Sequence, residues 1–249
     1  MAISHDTTEI IAALCVLGAA DSWMRGRLTR YALLGAAATL TRETSILLLL
    51  GVAFVEAVSV VHRRRLSWRF AMAGLAIVPF VVWNMTIGIF WHAVPQGNSV
   101  TSNLALPLFG PFAMMAEVLL RLMQGASGLK QSLLTLYILG SATSVLVFCG
   151  ATLRVAWRLL QRKDAPEGAK GLAAGFLATL ALMSVLSANG PWVEPAAYFR
   201  AFSESFVIGC YLIALTWDRA NTGRQYVLPV IVGVAMTLGN AAICFTQLR

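Results

Sequence analysis

The chain has 249 residues, 58% hydrophobic and only 12% charged, with a mean hydropathy of +0.74 and a formal net charge of +8. A soluble domain carries about 25% charged residues, so the composition excludes a soluble globular enzyme. It also argues against a nucleic-acid partner, because the basic residues fall in short segments between apolar runs, where they report membrane topology.

Measured against a hydrocarbon core of about 30 Å, the apolar runs predict eight spans. They cover residues 9–24, 30–41, 44–61, 70–90, 132–153, 171–188, 201–217 and 226–247. The reading is an all-α polytopic transmembrane bundle, one integral membrane domain over residues 1–249. The chain opens MAISHDTTEI, with His5, Asp6 and Glu9 before its first apolar run, unlike the basic start of a secretory leader. The second span is short and ends in LTRETS, which puts Arg42 and Glu43 between two apolar runs. A charge at bilayer depth costs about 3 kcal/mol or more unless it faces protein, water or a ligand, so this pair marks a candidate site.

Most of the 19 cations follow the odd-numbered spans: Arg25, Arg27 and Arg30; Arg63, Arg64, Arg65 and Arg69; Arg154, Arg158, Arg162, Lys163 and Lys170; Arg219 and Arg224. By the positive-inside rule that side is cytoplasmic. Arg42, Arg121, Lys130, Arg200 and Arg249 fall outside, together with Asp6, Glu9, Glu43, Glu117, Glu194 and Glu204. Trp23, Trp68, Trp91, Trp157, Trp192 and Trp217 fall near span ends, as an aromatic belt would. An external N-terminus without a leader leads to the expectation of further spans upstream.

The external stretch 91–131 holds Pro95, Pro107 and Pro111 and then an apolar run too short to cross. Over residues 112–123 it predicts a helix lying in the interface, with Glu117, Arg121 and Gln124 as its polar edge. Gly171 and Gly175 have the small-xxx-small spacing that lets membrane helices approach closely. Cys15, Cys149, Cys210 and Cys244 lie inside apolar runs and read as small buried hydrophobes. His5, His62 and His92 are scattered, so no metal motif is present. Glu56, near the cytoplasmic end of the third span, could snorkel or meet Arg69 across the short loop.

Most of the unusual polar residues gather on the external face: His5, Asp6, Glu9, Arg42, Glu43, Asn189, Glu194, Arg200 and Glu204. Arg42 and Glu43 are adjacent, about 100° apart on a helix, so each needs another partner. Arg200 and Glu204 could pair within one helix, Arg200 could pair with Glu43, and Arg42 with Glu204 or Glu9. One reading is a buried ion network that fixes helix packing. The other is a site in which Arg42 and Arg200 bind a lipid phosphate bidentately. Carboxylates nearby could then bind sugar hydroxyls, hold a divalent ion or act as base.

The stretch LTRYALLGAAATLTRETSILLLLGVAFVEAVSVVHRRR resembles the bacterial GT-C superfamily of polytopic glycosyltransferases, in particular those of cell-surface glycopolymer formation. SHDTTEI, the span to Trp23, RGRLTR and LTRETS follow the order of that family's middle region, and YFRAFSESF, with Arg200, resembles a recurring feature. The resemblance implies an active site on the periplasmic or exterior face of the bacterial plasma membrane. It implies transfer of a sugar from a polyprenyl-phosphate donor to a glycan or lipid acceptor, with inversion at the anomeric carbon. Arg42 and Arg200 would bind the donor phosphate, and Glu9, Glu43 and Glu204 would orient these arginines or contact sugar. Asp6 and Glu43 are the candidate catalytic groups, although Asp6 matches a later loop of the family than the catalytic one. The family's first external loop has no counterpart here, which leads to the expectation of an N-terminally truncated member. No cofactor is implied beyond a divalent cation. The alternative is a non-enzymatic polytopic membrane protein: a transporter, a lipid flippase or a subunit of an assembly.

Overall fold

Long apolar stretches with few glycines or prolines in their interiors satisfy their backbone groups within helices, and every described regular element is helical. The computed structural model describes residues 3–91, 109–123, 129–185 and 203–216. The helices are α1 (Ile3–Met24), α2 (Leu28–Thr41), α3 (Ile46–Arg63), α4 (Trp68–Leu75) and α5 (Val78–Trp91). They continue with α6 (Phe109–Met123), α7 (Leu129–Gln161), α8 (Glu167–Val185) and α9 (Ser203–Leu215). Contacts divide the chain into two units, one of Met1–Gly97, Thr152–Leu180 and Ser203–Thr216, the other of Asn98–Ala151, Ala181–Phe202 and Trp217–Arg249.

Within the first unit α1 packs on α2 and α9, α2 on α4 and α5, and α3 on α4. The core is apolar, with Trp23, Tyr31, Leu48, Val52, Phe176, Ile208 and Leu212 fully buried. Gly26 turns the chain from α1 into α2 at φ 70, a left-handed conformation suited to glycine. The amide of Arg27 bonds the Ser22 carbonyl and that of Gly26 the Trp23 carbonyl, the pairing of a Schellman stop. Ser67 caps α4 by accepting from the Phe70 amide at 3.1 Å.

The small-residue spacing read at Gly171 and Gly175 is a packing device. A Cβ at Gly175 would lie 2.5 Å from the Leu48 carbonyl oxygen, and one at Gly51 only 2.0 Å from the Gly175 nitrogen. α3 and α8 therefore meet backbone to backbone, which only hydrogen at these positions permits. Outward surfaces are apolar: Leu33, Phe54, Val61, Trp83, Ile89 and Phe90 are all exposed. Glu43–Arg63, Trp68–Phe90, Thr143–Gln161 and Glu167–Val185 are long and apolar enough to cross a membrane, while Ile10–Met24 and Glu204–Leu215 are shorter apolar helices.

The fourth expected span is bent. The helix breaks over Ala76 and Ile77, because Pro79 has no amide to return to the preceding turn. The fifth is longer than the apolar run, since α7 continues through Arg154 and Arg158, which lie on helix and not in a loop. A helix does form at Phe109–Met123, with Glu117 exposed. The eighth expected span lies outside the described residues. Trp23 departs from the belt reading, being fully buried, whereas Trp68 and Trp157 are exposed. Cys210 is exposed on α9, not buried, and Cys15 and Cys149 are half-buried.

Candidate functional site

The LTRETS segment is a break between two helices. Thr39 and Thr41 turn their hydroxyls back on the Ala36 and Ala37 carbonyls in the last turn of α2. Arg42 then leaves the helix in an extended conformation, φ −151 and ψ 121, and Glu43–Ser45 form one 3-10 turn before α3 starts. The break rotates Arg42, Thr44 and Ser45 toward the same neighbour.

That neighbour is Glu204, in the first turn of α9 and buried. Ser45 donates to its Oε1 at 2.7 Å and Thr44 to its Oε2 at 2.9 Å. Arg42 Nε stands 3.8 Å from Oε1, with the Arg42 side chain 17% exposed and that of Glu204 3%. Hydrogen bonds to an ionised group stabilise by about 1.5–3 kcal/mol each. The two hydroxyls at short range therefore hold the carboxylate more directly than the ion pair, which lies near the limit of contact.

Of the partners the sequence allowed for Arg42, Glu204 lies beside it, while the Glu9 side chain is outside the described residues. Glu43 is exposed and makes no ion pair among the described residues, so it does not join this cluster. Arg200 lies outside the described residues, as do the side chains of Asp6 and Glu9, so their expected roles have no geometry. Thr44 and Ser45 were not singled out from the sequence. The signal was present, since hydroxyls flanking a buried charge at a helix break are natural carboxylate donors.

A second polar cluster lies at the arginine-rich end of the same unit. Arg69 Nε donates to Glu56 Oε1 at 3.2 Å, the loop-spanning contact that the sequence suggested, and the Glu56 side chain is 3% exposed. The Arg69 guanidinium also lies 4.6 Å over the Trp23 ring, and Trp23 packs on Tyr31 with centroids 4.5 Å apart. The Trp23 Nε1 and Tyr31 hydroxyl groups have no hydrogen-bond partner among the described residues. At this end Arg63 bonds Glu167, and Arg25 bonds Asp21 at 2.9 Å, which raises the Arg25 pKa above its ordinary value through that hydrogen bond.

Among the described residues no three His, Cys, Asp or Glu side chains gather to hold a metal ion. No protein family, curated protein or solved structure matches the chain.

Proposed function

We propose that this chain is a polytopic membrane glycosyltransferase, or the C-terminal portion of one, that takes its sugar from a polyprenyl-phosphate donor. It would sit in a bacterial plasma membrane, with the 42–45 turn on the exterior face and a glycan or lipid as acceptor. The observation that supports this reading is the buried Glu204 carboxylate engaged by Arg42, Thr44 and Ser45. Glu204 acts as a positioning residue, fixing Arg42 at the end of an apolar helix pair. A guanidinium has five N–H donors in a planar fork, a match for phosphate oxygens. Arg200 would approach the same phosphate from the segment just before α9. Stabilising the charge that develops on the departing lipid phosphate is the main contribution such a site can make. Glu43, exposed in the turn, would contact sugar, and Asp6 or Glu43 would act as the general base.

The test is donor binding and sugar transfer in membranes containing Arg42→Ala, Arg42→Lys and Arg200→Ala variants. Arg42→Ala should lose donor binding and Arg42→Lys should retain part of it, with melting curves showing each variant folded. Unaltered transfer by Arg42→Ala would overturn the assignment. A transporter or flippase is the second reading, favoured by the buried Glu56 carboxylate that pairs with Arg69 at the opposite end, and would show donor-independent lipid movement in vesicles.

A further inference from the structure

The arginine-rich end of the first unit carries a groove of about 430 Å³ lined by Gly26, Arg27, Leu28, Thr29, Arg30 and Trp68. Its charges are unusual for this end. Asp21, Glu56 and Glu167 are each taken by a different arginine, Arg25, Arg69 and Arg63. Arg27 and Arg30, in contrast, make no ion pair or hydrogen bond from their side chains among the described residues. Two unpaired guanidinium groups thus share one concave surface with the Thr29 hydroxyl. The rigid Schellman turn at Gly26 sets the first of them, and the first turn of α2 sets the second.

The groove also has an apolar border. Trp68 is 66% exposed at its edge, and Leu66, two residues earlier, is 83% exposed. An exposed indole at the end of a membrane-crossing helix suits the headgroup boundary, and guanidinium pairs suit phosphate. We infer that this groove is a headgroup site for an anionic phospholipid, its phosphate between Arg27 and Arg30 and its glycerol against Trp68. The inference rests on the membrane reading of the chain and is independent of the transferase reading. Basic pockets between helices on the cytoplasmic side are suited to such headgroups. A free phosphate would gain nothing from the exposed indole.

The experiment uses the whole chain in detergent micelles, with retained lipid counted by native mass spectrometry. Dioleoylphosphatidylglycerol should be retained over dioleoylphosphatidylcholine by the unaltered chain, a comparison that stands whatever any variant does. The double variant Arg27→Ala/Arg30→Ala should weaken phosphatidylglycerol binding about a hundredfold, the loss of two charge-assisted hydrogen bonds to the phosphate. The control Arg64→Ala/Arg65→Ala removes the same charge from the same end outside the groove and should change binding less than about threefold, because exposed charges that do not touch the headgroup act on it only through screened solvent. Equal loss in the two double variants would show diffuse surface charge and overturn the site. Equal retention of phosphatidylcholine would overturn it too, as would displacement of the lipid by millimolar inorganic phosphate.

Discussion

Ser45 donates its hydroxyl to Glu204 Oε1 at 2.7 Å, joining the turn before α3 to the first turn of α9 across 159 positions of sequence. Both residues are fully buried. Ser45→Ala should therefore leave part of a buried carboxylate without its donor and lower stability by about 1.5–3 kcal/mol. Thr44→Ala, at a half-buried position that water can reach, should cost less. Thermal unfolding in a mild detergent gives the ranking, and a larger loss for Thr44→Ala would show that Thr44, not Ser45, is the main donor to Glu204.

The Arg69–Glu56 pair, with Glu56 buried and Arg69 37% exposed, lends itself to a comparison of single and double variants. Arg69→Met leaves the buried Glu56 carboxylate without its guanidinium and should cost about 1–3 kcal/mol, less than breaking a fully buried pair because solvent reaches Arg69. Removing both charges, Arg69→Met with Glu56→Met, should recover most of that stability, because well-packed apolar groups replace a desolvated pair. A double variant as unstable as the sum of the singles would show that the two residues act independently.

The contact between α3 and α8 gives a steric prediction. Gly175→Ala and Gly51→Ala drive a methyl group into backbone atoms of the facing helix, a contact that no rotamer can relieve. Gly171→Ala meets Val52 at 3.1 Å and needs a smaller shift. Expression and melting temperature should fall for the first two and fall less for the third. Full stability in Gly175→Ala would mean that the helices are separate in the membrane.

The sequence showed helices well and their ends less well. Apolar length located the described helices, four of them long and apolar enough to cross a membrane, because peptide groups in an apolar run are satisfied only within a helix. The break at Ala76 is not legible because an apolar run hides the effect of a single proline, and α7 extends beyond its apolar run because arginines are compatible with helix. At the candidate site the charges of Arg42 and Glu204 were visible as misfits, and their pairing was among the possibilities that topology allowed. The part played by Thr44 and Ser45 is legible only from their place beside Arg42 at a helix break, since hydroxyls cost little in either environment and carry no burial signal of their own. Trp23 shows the same limit: its place near a span end suggested the interface, but the tertiary partner Arg69 covers it.

Tyr31 makes a sharper test of the cluster at the arginine-rich end. Its ring is fully buried against Trp23, and its hydroxyl has no hydrogen-bond partner among the described residues. An unpaired buried hydroxyl carries a desolvation penalty of about 1–3 kcal/mol. Tyr31→Phe keeps the ring contact and removes that penalty, so the variant should be as stable as the parent or more so. Trp23→Phe is different, because it gives up ring area and weakens the cation–π contact with Arg69, and it should destabilise by about 1–3 kcal/mol. The opposite signs are the diagnostic: a stability loss in Tyr31→Phe as large as that in Trp23→Phe would establish that the hydroxyl holds a partner such as an internal water.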